Sequence, residues 1–211
     1  MINLFVADDH TMFREMLKDS LSHEPDVIIK GEANNGEEAL RKLLAVDYDV
    51  ILLDIAMPGL NGLEVLSKLR AAKPQSKVLM LSMYSEDQYA LRAFRAGASG
   101  YLTKNEATKE LISAIHKIAQ GEKYVNSQVA AKLLFQMTGV EDKTGHEKLS
   151  NREYEVMLMI ASGKSIKQIA EELKLSVSTV STLKKRMLTK MNMKDASEIT
   201  HYVLQEGLLT Q

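Results

Sequence analysis

Five side chains in the first half of the chain have the types and spacing for phosphoryl chemistry: Asp8, Asp9, Asp54, Ser82 and Lys104. Each stands at the end of a short apolar run. The densest is Val50-Ile51-Leu52-Leu53-Asp54, which reads as a strand buried on both faces, with a turn beginning at Pro58-Gly59. In an open parallel sheet the carboxyl ends of the strands face the ligand crevice, so Asp54 is expected at the mouth of a pocket. Three carboxylates gathered there repel one another and raise one another's pKa. A divalent cation removes that conflict, and Mg²⁺, a hard ion that keeps several waters, needs only one or two carboxylates. Beside such an ion Asp54 can act as a nucleophile toward a phosphoryl group, a reaction that asks the protein mainly for positioning and charge neutralisation. Ser82 can donate its hydroxyl, and Lys104 can neutralise a phosphoryl oxygen. A lone Asp or Lys at a strand end is an ordinary surface residue about four times in five. An acid pair, an acid, a hydroxyl and a lysine, in that order at the ends of strands one, three, four and five, reverse those odds.

A second group lies near the C-terminus. Lys184 to Lys194 carries five basic residues and no acidic one, so the near-zero net charge of the whole chain hides a basic patch. Ile166 to Leu173 reads as a short amphipathic helix, and Leu175 to Arg186 follows after one short turn. Two helices joined this tightly fit a helix-turn-helix, whose second helix enters the major groove. Val180, Leu183, Met187 and Met191 recur at helical spacing and are expected to face a core. Ser178, Ser181, Thr182 and Lys185 lie off that stripe and are the candidates for base contact, while Lys184, Arg186 and Lys190, with Lys167 on the preceding helix, suit phosphates. A charge run alone favours a solvated face on a helical interaction module, by about two to one. The helix-turn-helix spacing and the small outward polar residues shift the balance toward double-stranded DNA.

The elements that must position these groups follow a simple order. Strand-like runs at Ile2–Ala7, Val27–Ile29, Val50–Asp54, Val78–Ser82 and Gly100–Leu102 alternate with five amphipathic segments. Their inward faces are expected to carry Phe13, Met16, Leu17 and Leu21, then Ala39, Leu40, Leu43 and Leu44, then Leu63, Leu66 and Leu69, and in the last Leu111, Ile112, Ile115 and Ile118. The fourth opens on the capping-box pattern Ser85-Glu86-Asp87-Gln88 and stops at Gly97. This alternation predicts a doubly wound parallel sheet with helices on both faces; strand order cannot be read from spacing. Asn126 to Met137 reads as one more amphipathic helix, and Thr138 to Lys148, without periodicity and with two glycines, as a linker. Beyond Leu149 only helical segments remain. Ser150 with Glu153, Ser165 with Gln168 and Asp195 with Glu198 have capping-box spacing, and Ser176 can cap the third of four helices.

The chain has no cysteine, which removes disulfides, thiolate metal sites and cysteine catalysis. Its N-terminal apolar run soon meets Asp8 and Asp9, unlike a signal peptide, and no run approaches the length of a membrane span. A cytoplasmic protein with no membrane partner is the expectation. An aspartate-nucleophile phosphatase would want a second acid two residues after the nucleophile, where this chain has Ala56. Neither a P-loop nor a GxGxxG follows the first strand. A regulator that binds DNA without phosphorylation is the other alternative, and the complete acidic pocket argues against it.

The motifs Val6-Ala7-Asp8-Asp9-His10, Leu53-Asp54-Ile55-Ala56-Met57-Pro58-Gly59, Leu81-Ser82 and Gly100-Tyr101-Leu102-Thr103-Lys104 resemble those of the receiver domain of two-component response regulators. Leu149 to about Leu209 resembles the LuxR/NarL-type DNA-binding domain. The resemblance implies a flavodoxin-like five-stranded receiver over residues 1–124, a linker helix and flexible linker over 125–148, and an all-α four-helix helix-turn-helix domain over 149–211. It implies that Asp54 accepts phosphate from a sensor histidine kinase. Asp9 and Asp54 would bind Mg²⁺ directly, Asp8 through water, and the backbone carbonyl of Ala56 would be a third protein ligand. Ser82 and Lys104 would hold phosphoryl oxygens, and Tyr101 would reorient when Ser82 moves. The chain would be a phosphoacceptor and not an enzyme, beyond self-phosphorylation from donors and autodephosphorylation. Phosphate would release the DNA-binding domain, promote a homodimer, or both. Ile199, Val203 and Leu204 on the closing helix are the candidate dimer contacts. Two departures from many relatives stand out: Asn105 follows Lys104 in place of proline, and Ser181 replaces a basic residue.

Overall fold

The computed structural model describes residues 1–83, 86–105, 108–125, 129–131 and 145–209, and it divides into two compact units, Met1–Leu133 and Leu134–Gln211. The helix expected over 126–137 lies outside the described residues except for 129–131, as do linker residues 138–144 and the cap residue Ser85.

The first unit is a five-stranded sheet, β1 (Ile2–Ala7), β2 (Val27–Ala33), β3 (Val50–Asp54), β4 (Val78–Ser82) and β5 (Gly100–Thr103), in the order β2-β1-β3-β4-β5. Every pairing is parallel. The helices are α1 (Thr11–Ser22), α2 (Gly36–Ala45), α3 (Gly62–Ala72), α4 (Glu86–Arg95) and α5 (Thr108–Ala119). All five residues of β3 and of β4 are buried, as their unbroken apolar runs require of strands covered on both faces. Chain order reverses between β1 and β3, and at such a switch point the loops leave in opposite directions and open a crevice. Asp8 and Asp9 follow β1 and Asp54 ends β3, so the crevice is lined with acid.

Two inward expectations fail. Met16 is 48% exposed and Leu44 is 45% exposed, each at the flank of its helix stripe, while Leu17, Leu21, Ala39 and Leu43 are buried. The strand β2 runs to Ala33, four residues past the apolar run that signals it.

The carboxyl end of β3 is closed by α3. Asn61 caps that helix, its side chain accepting from the Glu64 N–H and the Glu64 carboxylate accepting from the Asn61 N–H. The next residue, Gly62, donates its N–H to the Ile55 carbonyl at 2.9 Å, and a Cβ at that position would collide with the Asp54 carbonyl oxygen. The helix start therefore presses directly on the backbone that carries Asp54, and only glycine permits so close an approach.

The second unit holds α6 (Asn151–Ala161), α7 (Ile166–Glu172), α8 (Val177–Met191) and α9 (Ala196–Gln205). Ser150 and Ser165 form reciprocal capping boxes with Glu153 and Gln168. Asp195 caps α9, but Glu198 reaches back to the Lys194 N–H and not to that of Asp195. Residues 145–148, placed in the linker by the sequence, form a 3-10 turn. Its His146 N–H and ring Nδ1 lie 3.2 and 2.9 Å from the Tyr202 hydroxyl, so the turn belongs to this unit.

Candidate functional site

The sheet register brings the five predicted side chains together. The Lys104 N–H donates to the Ser82 carbonyl at 2.7 Å, and Ser82 pairs with Thr103, so β4 and β5 deliver the hydroxyl and the lysine side by side. The Asp8 N–H donates to Ala33, anchoring the end of β1 to β2. Asp8, Asp54 and Ser82 are each at most 1% exposed. Lys104 Nζ lies 2.7 Å from Asp8 Oδ2 and 2.9 Å from Asp54 Oδ2, with its side chain 3% exposed. Asp8 Oδ1 accepts from the His10 N–H, and the His10 ring lies 2.9 Å from Asp9 Oδ1. Tyr101 is buried on β5. Ala56 is half-buried in the β3–α3 loop, its N–H 3.4 Å from Asp54 Oδ1. Phe13, assigned to the core face by its spacing, carries its ring 4.8 Å below the Lys104 ammonium. An aromatic four residues after the acid pair was the available signal for that contact.

Ligand atoms of Asp8, Asp9, His10 and Asp54 lie within 4.8 Å of one another. Among the described residues Lys104 is the one ammonium in ion-pair contact with Asp8 and Asp54, which leaves three carboxylates against one ammonium. Asp8 Oδ2, Asp9 Oδ1 and Asp54 Oδ2 are buried without a properly aligned hydrogen bond. Hard oxygen donors, an excess of two negative charges and unsatisfied buried lone pairs fit a divalent cation of the Mg²⁺ kind.

Burial pushes the Asp54 carboxyl up to about 6; Lys104 opposes the rise and Asp8 adds to it. The folded-state pKa is raised, so ionising Asp54 weakens the fold: the cost is absent below the unfolded value, grows as pH rises and is complete above about 6. Without divalent metal, Asp54→Asn is expected to raise the thermal midpoint at neutral pH by several degrees, a gain of about 3 kcal/mol. That gain should fade toward pH ~4. Calorimetry in a chelator at both pH values checks this, and a gain independent of pH would contradict it.

In the second unit α8 begins with Ser176 as cap. Val180 and Met187 are fully buried, Leu183 and Met191 half-buried, as the stripe requires. Lys167, Ser178, Ser181, Thr182, Lys185, Arg186 and Lys190 are exposed and Lys184 is half-buried. Ser181, Thr182, Lys185, Arg186, Thr189 and Lys190 line one groove along the helix. Ser181 Oγ donates to the Val177 carbonyl and Thr182 Oγ1 to that of Ser178, so each hydroxyl offers lone pairs and no proton. Lys190 Nζ is 2.6 Å from the buried carboxylate of Glu153, on α6. Burial would raise the Glu153 carboxyl, but Lys190 and Ser150 hold it below the ordinary value. Lys190 thus fastens α8 to α6. Val177, 51% exposed at the start of α8, is an apolar surface beside the candidate base contacts. Its position off the buried stripe could have marked it. On α9, Ile199 and Val203 are 0% exposed and sit in the domain's own core, so of the three candidate dimer contacts only Leu204, 63% exposed, is at the surface.

Residues 4–116 match the family described as the response regulator receiver domain, and residues 147–203 match the bacterial regulatory proteins of the luxR family. The chain is 34% identical over 209 residues to the response regulator UvrY of Escherichia coli K12, covering 99% of this chain and 96% of the relative. It is 35% identical over 207 residues to the nitrate/nitrite response regulator NarL of the same strain, covering 97% and 96%. Among solved structures it has the fold of RcsB from Salmonella enterica serovar Typhimurium, bound to the rprA promoter in the presence of the phosphomimetic BeF3-. That likeness has a TM-score of 0.65 at 23% identity and covers 96% of this chain and 98% of the other.

Proposed function

The chain belongs to the response regulators that join a receiver domain to a LuxR-type DNA-binding domain, and on that premise we propose that Asp54 is its phosphoacceptor. The donor is a phosphorylated histidine of a sensor kinase. The observation that carries the reading is the place of β3 between β1 and β4. Asp54 has the acids Asp8 and Asp9 on one side and Ser82 and Lys104 on the other.

Mg²⁺ would be held by Asp9, Asp54 and the Ala56 carbonyl, with Asp8 acting through water, and when bound it offsets charge on the phosphoryl oxygens. The remaining work falls to the chain's own side chains. A carboxylate oxygen of Asp54 forms the new O–P bond as the P–N bond of the phosphohistidine breaks, and the imidazole departs. Lys104 moves from the Asp54 carboxylate to a phosphoryl oxygen, and Ser82 donates its hydroxyl to another. Tyr101 follows Ser82 and carries the change to the outer face of β5. The phosphorylated receiver then frees α7 and α8 for DNA or favours a homodimer, in which Leu204 takes part. The work is done in the cytoplasm, where kinase and DNA are both within reach; no helix among the described residues is long and apolar enough to cross a membrane.

Treating the chain with a small acyl phosphate and Mg²⁺ tests the switch. The labelled chain is expected to dimerise, to bind duplex DNA about tenfold more tightly, or both, since a dimer reads two half-sites. Light scattering and fluorescence anisotropy measure the two. A fully labelled chain unchanged in both would sink the switch.

A further inference from the structure

Lys104 has a third partner besides its two carboxylates. Its ammonium stands over the face of Phe13, 4.8 Å from the ring centroid. The lysine stem runs beside a small cavity walled by Phe13, Leu17, Leu81, Leu102 and Leu111. The Phe13 ring packs against the receiver core, which fixes it in place. A cation on an aromatic face gains more when the pair is desolvated, and this side chain is 3% exposed.

We propose that Phe13 is a positioning residue for Lys104 during phosphoryl transfer, a role that rests on the reading of Asp54 as phosphoacceptor. The two carboxylates that now hold the ammonium are the ones the metal and the phosphoryl group would claim. The ring face is the partner that neither event consumes. A lysine stem has four rotatable carbons, and an ammonium released from both carboxylates would otherwise sample many positions. The ring keeps it at the pocket mouth, within reach of the incoming oxygen. Phe13 touches neither donor nor acceptor, so its contribution is to orientation alone.

The test separates the electron-rich face of the ring from the space it fills. In the full chain, phenylalanine at position 13 is replaced by mono-, di- and trifluorophenylalanine, which weaken the face progressively at nearly constant shape. Phe13→Tyr and Phe13→Leu complete the set. The rate of labelling by a small acyl phosphate at saturating Mg²⁺ is followed by intact mass, and thermal midpoints are recorded in parallel. The expected result is a labelling rate that falls stepwise with fluorination, is kept by tyrosine, and drops about three- to tenfold with leucine. Midpoints should fall little across the fluorinated series, because two carboxylates also hold the ammonium in the resting chain. A rate indifferent to fluorination overturns the role of Phe13 while leaving Asp54 as acceptor. A wild-type chain that takes no label on Asp54 overturns both readings together. If the leucine variant fails to fold, the fluorinated series still decides.

Discussion

An Asp54→Ala chain is expected to take up no phosphate from a small acyl phosphate and Mg²⁺ under conditions that label the wild type to completion. Three carboxylates share the pocket, so the result is not trivial; Asp8 or Asp9 could accept instead. Position decides among them. A phosphoryl group on Asp54 would lie between acids that suit a cation and the Ser82–Lys104 pair that β4 and β5 bring together. Asp8, at the end of β1, stands one strand farther from Ser82 than Asp54 does, and Asp9 stands farthest toward solvent, 28% exposed. Lys104→Met should leave Asp54 as acceptor but slow labelling about a hundredfold, the usual cost of removing one preorganised partner of a developing oxyanion. Intact mass and peptide mapping distinguish the two variants. Label on Asp54→Ala equal to that on wild type would move the acceptor to another residue, and an unslowed Lys104→Met would remove the lysine from the chemistry.

This pocket was legible in the sequence because each of its members ends an apolar run. The run carries the strand signal, and the polar residue that stops it marks the carboxyl edge. What the sequence hid depends on pairs distant in the chain. Strand order follows from packing of whole βαβ units, so the place of β3 between β1 and β4 had no local signal. The length of β2 was underestimated because Lys30 and Glu32 interrupt the apolar pattern, as they can on an edge strand. The 3-10 turn at Gly145–Lys148 depends on Tyr202, more than fifty residues away, and without that partner its sequence reads as linker. Ile199 and Val203 carry the same hydrophobic signal whether they face a domain core or a second subunit. Periodicity located the face and could not say what covers it.

The second large effect is expected on DNA. Replacing Lys185 and Arg186 together by alanine should cost about two orders of magnitude in affinity for a mixed-sequence duplex at moderate salt, and flatten the dependence of log K on log salt by about two units. Both side chains are exposed along the α8 groove, and each phosphate contact contributes a slope of about −0.9 through counterion release. Lys190 provides the contrast. It is also exposed, and as basic in sequence, but its ammonium is spent on Glu153, 2.6 Å away. Lys190→Ala removes the partner of a buried carboxylate, so it should destabilise the DNA-binding domain by about 1–3 kcal/mol, lowering its thermal midpoint, and leave the salt slope nearly unchanged. The pair of results is diagnostic because a charge count treats all three residues alike. Anisotropy titrations across a salt series, with calorimetry on the same variants, decide it. A Lys190→Ala slope as flat, per charge removed, as that of the double variant would show that the bridge opens on DNA and that Lys190 reaches phosphate after all. A double variant with an unaltered slope would move the interface off this face of α8.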